Sequence, residues 1–190
     1  MLKEIYSLLG EADIVIHYNG SNFDIPTLNR EFIQDQNTPP APFAEVDLLK
    51  TCRNRFRFLS NKLDYVARFL GDDGKMSHKG MELWKGCMVN DLASWKIMER
   101  YNKRDVVVLE RLYTKLLPWI QPHPNLALHN DDNDEGIRKC PNCGGSRLQS
   151  RGKALTPTRV YGRYQCQDCG KWSRGRVNEA QLANVQVGVK

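Results

Sequence analysis

The sequence predicts an α/β domain followed by a small cysteine-rich module, on three observations. Helical and strand periodicities alternate through residues 1–120. Four of the six cysteines fall into two Cys-x2-Cys pairs near the C-terminal end. Charge is split: residues 1–137 carry 17 Lys and Arg against 20 Asp and Glu, whereas residues 138–176 carry 10 against one, a local excess of +9. A chain of 190 residues suffices for one ordinary domain plus a small second one.

In chain order, residues 2–10 read as a helix with Leu2, Ile5, Leu8 and Leu9 on one side. Ile14, Val15 and Ile16 form a short strand closed by the turn pair Asn19-Gly20. A helix from about 25 to 35 turns Ile25, Leu28, Phe32 and Ile33 inward and stops before Pro39, Pro40 and Pro42. Residues 43–48 give a second strand, 47–56 a third helix, and 63–70 a helix ended by Gly71. A long helical pattern covers 91–120. The expected boundaries are 1–122 for the first domain, 123–137 for a polar and acidic linker, 138–176 for the second module and 177–190 for a tail.

Composition excludes whole classes. No apolar run reaches about 18 residues, so no membrane-spanning helix is expected. The N-terminal stretch MLKEIYSLLGEADIVIHYN is amphipathic and acidic, unlike an export signal, so a cytoplasmic chain with reduced thiols is expected. A basic module on a mildly acidic domain calls for a polyanionic partner, DNA or RNA.

The pairs Cys140/Cys143 and Cys166/Cys169 are separated by 22 residues. Two residues between thiolates let both sulfurs turn onto one tetrahedral ion, and the following Gly144 and Gly170 supply the positive φ of such knuckles. A structural Zn²⁺ closed by four cysteines is the reading favoured over two disulfides or a redox dithiol. Cys52 and Cys87 lie outside the pattern and read as ordinary thiols. Between and after the knuckles, Arg147, Arg151, Lys153, Arg159 and Arg163 interleave with Tyr161 and Tyr164, then Trp172, Arg174 and Arg176 follow. Cations alternating with aromatics suit phosphate contacts and base stacking with little sequence preference. Arg151, Arg159, Arg163, Trp172 and Arg174 are the expected nucleic-acid contacts of this module. The alternative is a solvated hairpin with incidental charge.

In the long helix, Trp95, Met98, Tyr101, Asp105, Val108, Leu112 and Leu116 share one face. Asp105 therefore sits in an apolar stripe, where an uncompensated carboxylate is costly. Either a cation or a helix cap pairs with it, or the helix opens there onto a cleft. Asp24, between a strand turn and Pro26, reads both as a helix N-cap and as a site carboxylate near a helix N-terminus. Arg53, Arg55, Arg57 and Lys62, with Phe56 and Phe58, read as a backbone-contacting patch or as a solvated edge.

Together these residues carry a resemblance. "NGSNFD" (19–24) resembles the second motif of DEDD-type 3′–5′ exonucleases, and "YNKRD" (101–105) has the Tyr-x3-Asp form of the third motif in their tyrosine subclass. The chain is most similar to prokaryotic and phage RNase H-like proteins with a C-terminal zinc ribbon, through YNG-x2-FDIP-x-LN-x-EF, SNKLDYVA and DVV-x-LERLY. YQCQDCGKWSRG also resembles zinc ribbons of transposases and phage nucleic-acid enzymes. The resemblance implies two-metal phosphodiester hydrolysis with Mg²⁺ or Mn²⁺, Asp24 and Asp105 as metal ligands and Tyr101 orienting the attacking water. It also implies that Asn19 and His17 line the cleft.

The family's first motif, Asp-x-Glu on an opening strand, has no counterpart among residues 1–13. The expectation is therefore a partial RNase H-like domain lacking its first strands, with an open edge at residues 14–16. Three explanations stay open: a true start upstream of Met1, a separate polypeptide supplying the missing strands, or a remnant that only binds. The isolated chain is expected to be weakly active or inactive. The competing class is a non-catalytic zinc-ribbon DNA- or RNA-binding protein. A third is a transposon-associated accessory factor.

Overall fold

The computed structural model describes residues 1–74, 80–128 and 136–180. The chain divides into two compact units, Met1–Leu116 and Leu117–Lys190. No described helix is long and apolar enough to cross a membrane.

The first unit begins with α1 (Leu2–Glu11), β1 (Ile14–His17), a 3₁₀ turn (Gly20–Asn22) and α2 (Asp24–Gln34), then β2 (Ala44–Asp47) and α3 (Leu48–Arg55). β1 and β2 pair in parallel, Ile14 opposite Ala44 and His17 opposite Asp47. This is the strand–helix–strand crossover that parallel pairing requires. Among the described residues the sheet has only these two strands. Ile14, Val15 and Ile16 accordingly stay half-buried, while Val46 on β2 is buried.

So narrow a sheet cannot cover both early helices, and two expected faces differ for that reason. α1 buries no residue fully, and its Leu8 is exposed. On α2 only Phe32 is buried, packed edge-on against Tyr6 at 5.2 Å, while Ile33, expected inward, is 74% exposed.

α4 (Leu63–Phe69) ends at Gly71, whose φ of +79° is the left-handed conformation expected after a helix. α5 (Met81–Met88) then doubles back into α6 (Leu92–Leu116). Asp91 receives the amides of Ala93 and Ser94 and so caps the start of α6. Gly86 lies so near Ser94 that an added Cβ would fall 2.1 Å from the hydroxyl, which keeps the two helices close. α5 is an element the sequence reading missed, and residues 75–79 before it lie outside the described ones.

α6 carries the predicted stripe. Met98, Val108, Leu112 and Leu116 are buried and Tyr101 and Asp105 half-buried, but Trp95 at its start is 48% exposed. The helix stops at Leu116, and a 3₁₀ turn (Leu117–Trp119) around Pro118 covers the rest of the expected span. Asp72, just after α4, clamps α6 by reaching Arg111 at 3.2 Å and Arg104 at 3.5 Å.

The second unit starts earlier than residue 138. Residues 117–128, in part expected to be linker, are tied to the cysteine module. Asn142 Nδ2 donates to Leu117 O at 3.0 Å, Lys171 Nζ to Ile120 O at 2.8 Å, and Leu126 N to Pro141 O at 2.8 Å. Buried Leu117 and Ile120 supply apolar packing that so small a module otherwise lacks. The remaining expected linker, 129–135, lies outside the described residues. β3 (Leu148–Leu155), β4 (Val160–Cys166) and β5 (Trp172–Arg174) form an antiparallel sheet in the order β3-β4-β5. The expected tail is held as far as it is described: Glu179 N donates to Val160 O at 2.7 Å. Its residues 181–190 lie outside the described ones.

Candidate functional site

The turn that presents Asp24 is built from below by two buried polar side chains at the C-terminal ends of β1 and β2. Asp47 is the N-cap of α3, its Oδ1 accepting from Leu49 N at 2.9 Å. The same oxygen accepts from Asn19 N at 3.0 Å, which fixes Asn19 in the left-handed region at φ +70°. His17 Nδ1 accepts from Gly20 N at 3.0 Å, so Nε2 carries the proton and donates to Glu45 Oε2 at 3.0 Å. Ser21 Oγ donates to the same Glu45 oxygen at 2.7 Å, and that bond, with His17 adding to it, holds the Glu45 carboxyl below its ordinary range. A Cβ on Gly20 would fall 2.6 Å from the His17 ring, so the turn requires glycine there.

Asp24 itself is exposed and stands as the first residue of α2. The N-cap position belongs to Phe23, which makes no side-chain cap bond, so the capping role considered for Asp24 does not hold. Asn19 spends its side-chain oxygen on Asn22 Nδ2 at 3.3 Å. His17 is a buried scaffold residue under the turn. Sequence reasoning passed over Asp47 and Glu45. The signal for Asp47 was its position between a strand and a helix, the ordinary place of an N-cap.

On α6, Tyr101 lies against the buried cluster of Leu83, Cys87 and Met98. One turn on, Asp105 keeps Oδ1 screened from solvent within the apolar stripe. Among the described residues, the cysteine quartet is the only group of three or more acidic, His or Cys side chains able to share an ion. The described residues therefore do not fit a complete centre for two divalent ions around Asp24 and Asp105.

The cysteine quartet does fit a metal. One ligand atom from each of Cys140, Cys143, Cys166 and Cys169 lies within 4.8 Å of all the others. Sγ–Sγ separations of 3.6 Å for Cys140–Cys169 and Cys143–Cys166 are close to the roughly 3.8 Å edge of a ZnS₄ tetrahedron. All four are free thiols, at separations far beyond a disulfide. The two knuckles repeat one geometry. Gly144 N donates to Cys140 O at 2.9 Å and Gly170 N to Cys166 O at 3.0 Å, with φ of +72° and +78° at the glycines. Burial pushes the Cys143 thiol up to about 11 and the Cys169 thiol higher still. At Cys166 burial is outweighed by the amides of Cys169 and Asp168, and the thiol falls below its ordinary value. Zn²⁺ held here would hold the two knuckles together.

Three cations of this module are already engaged. Arg147 pairs with Asp168, Lys153 pairs with Glu179, and Lys171 is buried against the Ile120 carbonyl. The aromatic–cation pattern resolves into stacked pairs. Arg163 lies 5.3 Å from the Trp172 ring centre, Arg174 4.2 Å from Tyr161 and Arg138 4.9 Å from Tyr164. Arg163 Nε donates to the Arg151 carbonyl at 2.9 Å. Arg159 beside Tyr161 holds that phenol below its ordinary value, with Arg174 adding to it. By strand register, Tyr161, Arg163, Arg174 and Trp172 share one face of the sheet. Arg151 and Arg159 are exposed.

Comparison with curated proteins and comparison with solved structures each find no match. A family model described as RNase_H_2, of the RNase H superfamily, matches residues 1–117. More than half of the chain lies within that match, and the chain belongs to the RNase H superfamily.

Proposed function

We propose that the chain is a nucleic-acid-binding protein of the 3′–5′ exonuclease type, with Asp24, Tyr101 and Asp105 as its share of a hydrolytic centre and a zinc ribbon as its grip on DNA or RNA. The observation that carries the reading is the RNase H superfamily match over the segment in which Tyr101 and Asp105 stand one turn apart on α6. Superfamily membership supports nuclease-like chemistry on nucleic acid. In this reading Asp24 and Asp105 supply two carboxylates, and Tyr101 orients the attacking water. The remaining carboxylates come from a polypeptide segment bearing an Asp-x-Glu strand, which adds to the open edge of β1.

The test is a nuclease assay on a 5′-labelled single strand with Mn²⁺, with and without such a segment supplied in trans. Slow shortening that rises on complementation and is lost in Asp105→Ala is expected. Cleavage that survives Asp105→Ala would remove Asp105 from the chemistry. A second reading, a non-catalytic zinc-ribbon binder, is favoured by the lack of a carboxylate cluster among the described residues. It is the outcome if complementation yields no cleavage.

A further inference from the structure

The ribbon unit contains a concave basic site apart from its stacked face. A cavity of about 330 Å³ is lined by Arg138, Lys139, Arg174 and Arg176, together with Asn125, Leu148, Tyr164 and Ser173, and no carboxylate lines it among the described residues. Arg174 turns its guanidinium onto the Tyr161 ring on the face shared with Trp172, which leaves Arg138, Lys139 and Arg176 as the cations of the cavity. Arg138 and Lys139 come from the segment entering the first knuckle and Arg176 from the stretch leaving β5. Arg138 is oriented by its stack on the Tyr164 ring.

We infer that this cavity holds one internal phosphate, with its sugar, of a single-stranded polynucleotide. The inference rests on the reading of the ribbon as the nucleic-acid grip. Arg guanidiniums offer paired donors to phosphate oxygens, and several cations converging on a recess concentrate positive potential there. The volume is at the lower end for small-ligand pockets, which suits one nucleotide unit. A single strand can rotate one phosphate into a recess. A duplex keeps its phosphates on a stiff outer rail and meets only the rim. Leu148 and the Tyr164 edge supply apolar wall for a sugar, and a recess filled by one phosphate and its sugar leaves the base outside, so preference is for strandedness and not for sequence.

The experiment is fluorescence anisotropy with the zinc-loaded full chain and labelled oligothymidylate, alone or hybridised to oligoadenylate. Binding is compared for wild type, the double variant Arg138→Gln/Arg176→Gln and the control Arg30→Gln. Zinc stoichiometry and melting temperature report that each variant folds. The double variant is expected to bind the single strand about tenfold more weakly, with the slope of log affinity against log salt shallower by about 0.7 for each phosphate no longer neutralised. The duplex is expected to bind more weakly than the single strand and to respond little to the double substitution. Equal weakening for both forms, or none for the single strand, would overturn the pocket while leaving the grip intact. Dependence on a 5′-terminal phosphate would overturn the assignment to an internal one. Failure of the wild-type chain to bind either form would overturn the grip and the pocket together.

Discussion

Arg163 and Arg174 stand directly opposite each other across β4 and β5. Like charges at such a position destabilise a strand pair. Here each guanidinium leans onto an aromatic ring, Arg163 toward Trp172 and Arg174 toward Tyr161. The arrangement tolerates repulsion in order to keep two cations and an indole on one exposed face. Arg174→Gln is therefore expected to leave thermal stability unchanged or slightly raised while weakening nucleic-acid binding and flattening its salt dependence. Melting curves and binding titrations at several salt concentrations check this, and a parallel loss of stability and binding would make Arg174 a structural residue.

Trp172→Ala on the same face tests stacking. Removing one base–aromatic stack costs about 1–3 kcal/mol. Single-strand affinity measured at high salt, where phosphate interactions are screened, should fall by that amount. An unchanged affinity would reduce Trp172 to an Arg163 support.

The cysteine quartet makes a prediction about protons as well as metal. Burial holds the Cys143 thiol protonated up to about 11 without an ion, so zinc must displace protons on binding. Zinc affinity should rise with pH, with protons released to a weakly buffered indicator. Cys143→Ser should release zinc and unfold the second unit while the α-helical signal of the first persists. Uptake without proton release would contradict the thiolate site.

Asp72 makes a stability prediction for the first unit. Burial pushes its carboxyl up, but the Gly74 amide and the Arg111 and Arg104 guanidiniums outweigh burial and hold it below its ordinary value. A group with a depressed native pKa stabilises above its unfolded value, about 3.9, and that contribution is lost as pH falls through the native value. Asp72→Asn should lower stability at neutral pH by about 1 kcal/mol, because Arg111 and Arg104 are partly exposed and solvent screens both pairs. The variant should also lack this part of the acid-induced loss. Denaturant titrations at pH 7 and pH 3 measure both.

The cysteine knuckles and the α6 stripe were legible because each rests on spacing within one short segment. Cys-x2-Cys fixes a knuckle, and a period of 3.6 fixes a helix face, whatever the rest of the chain does. Ile33 and Leu8 were misread because amphipathic spacing says which residues share a face and not whether a partner covers it. Two strands offer α1 and α2 little cover. α5 was missed because its eight residues include a glycine and two polar residues, too short a span for periodicity to register. The His17–Glu45 and Asn19–Asp47 hydrogen bonds join positions 28 residues apart through strand register, which no local pattern carries. The same holds for the basic cavity, whose walls come from separate stretches of the ribbon unit.

The proposed chemistry depends above all on Asp24 and Asp105 serving one divalent ion. The most direct measurement is paramagnetic broadening of backbone amide resonances by Mn²⁺ at substoichiometric amounts, in the zinc-loaded chain. Simultaneous broadening of residues 19–24 and 101–105, abolished together by Asp105→Asn, is the predicted result. Broadening of one segment alone, or of neither while other acidic surface residues respond, would contradict it.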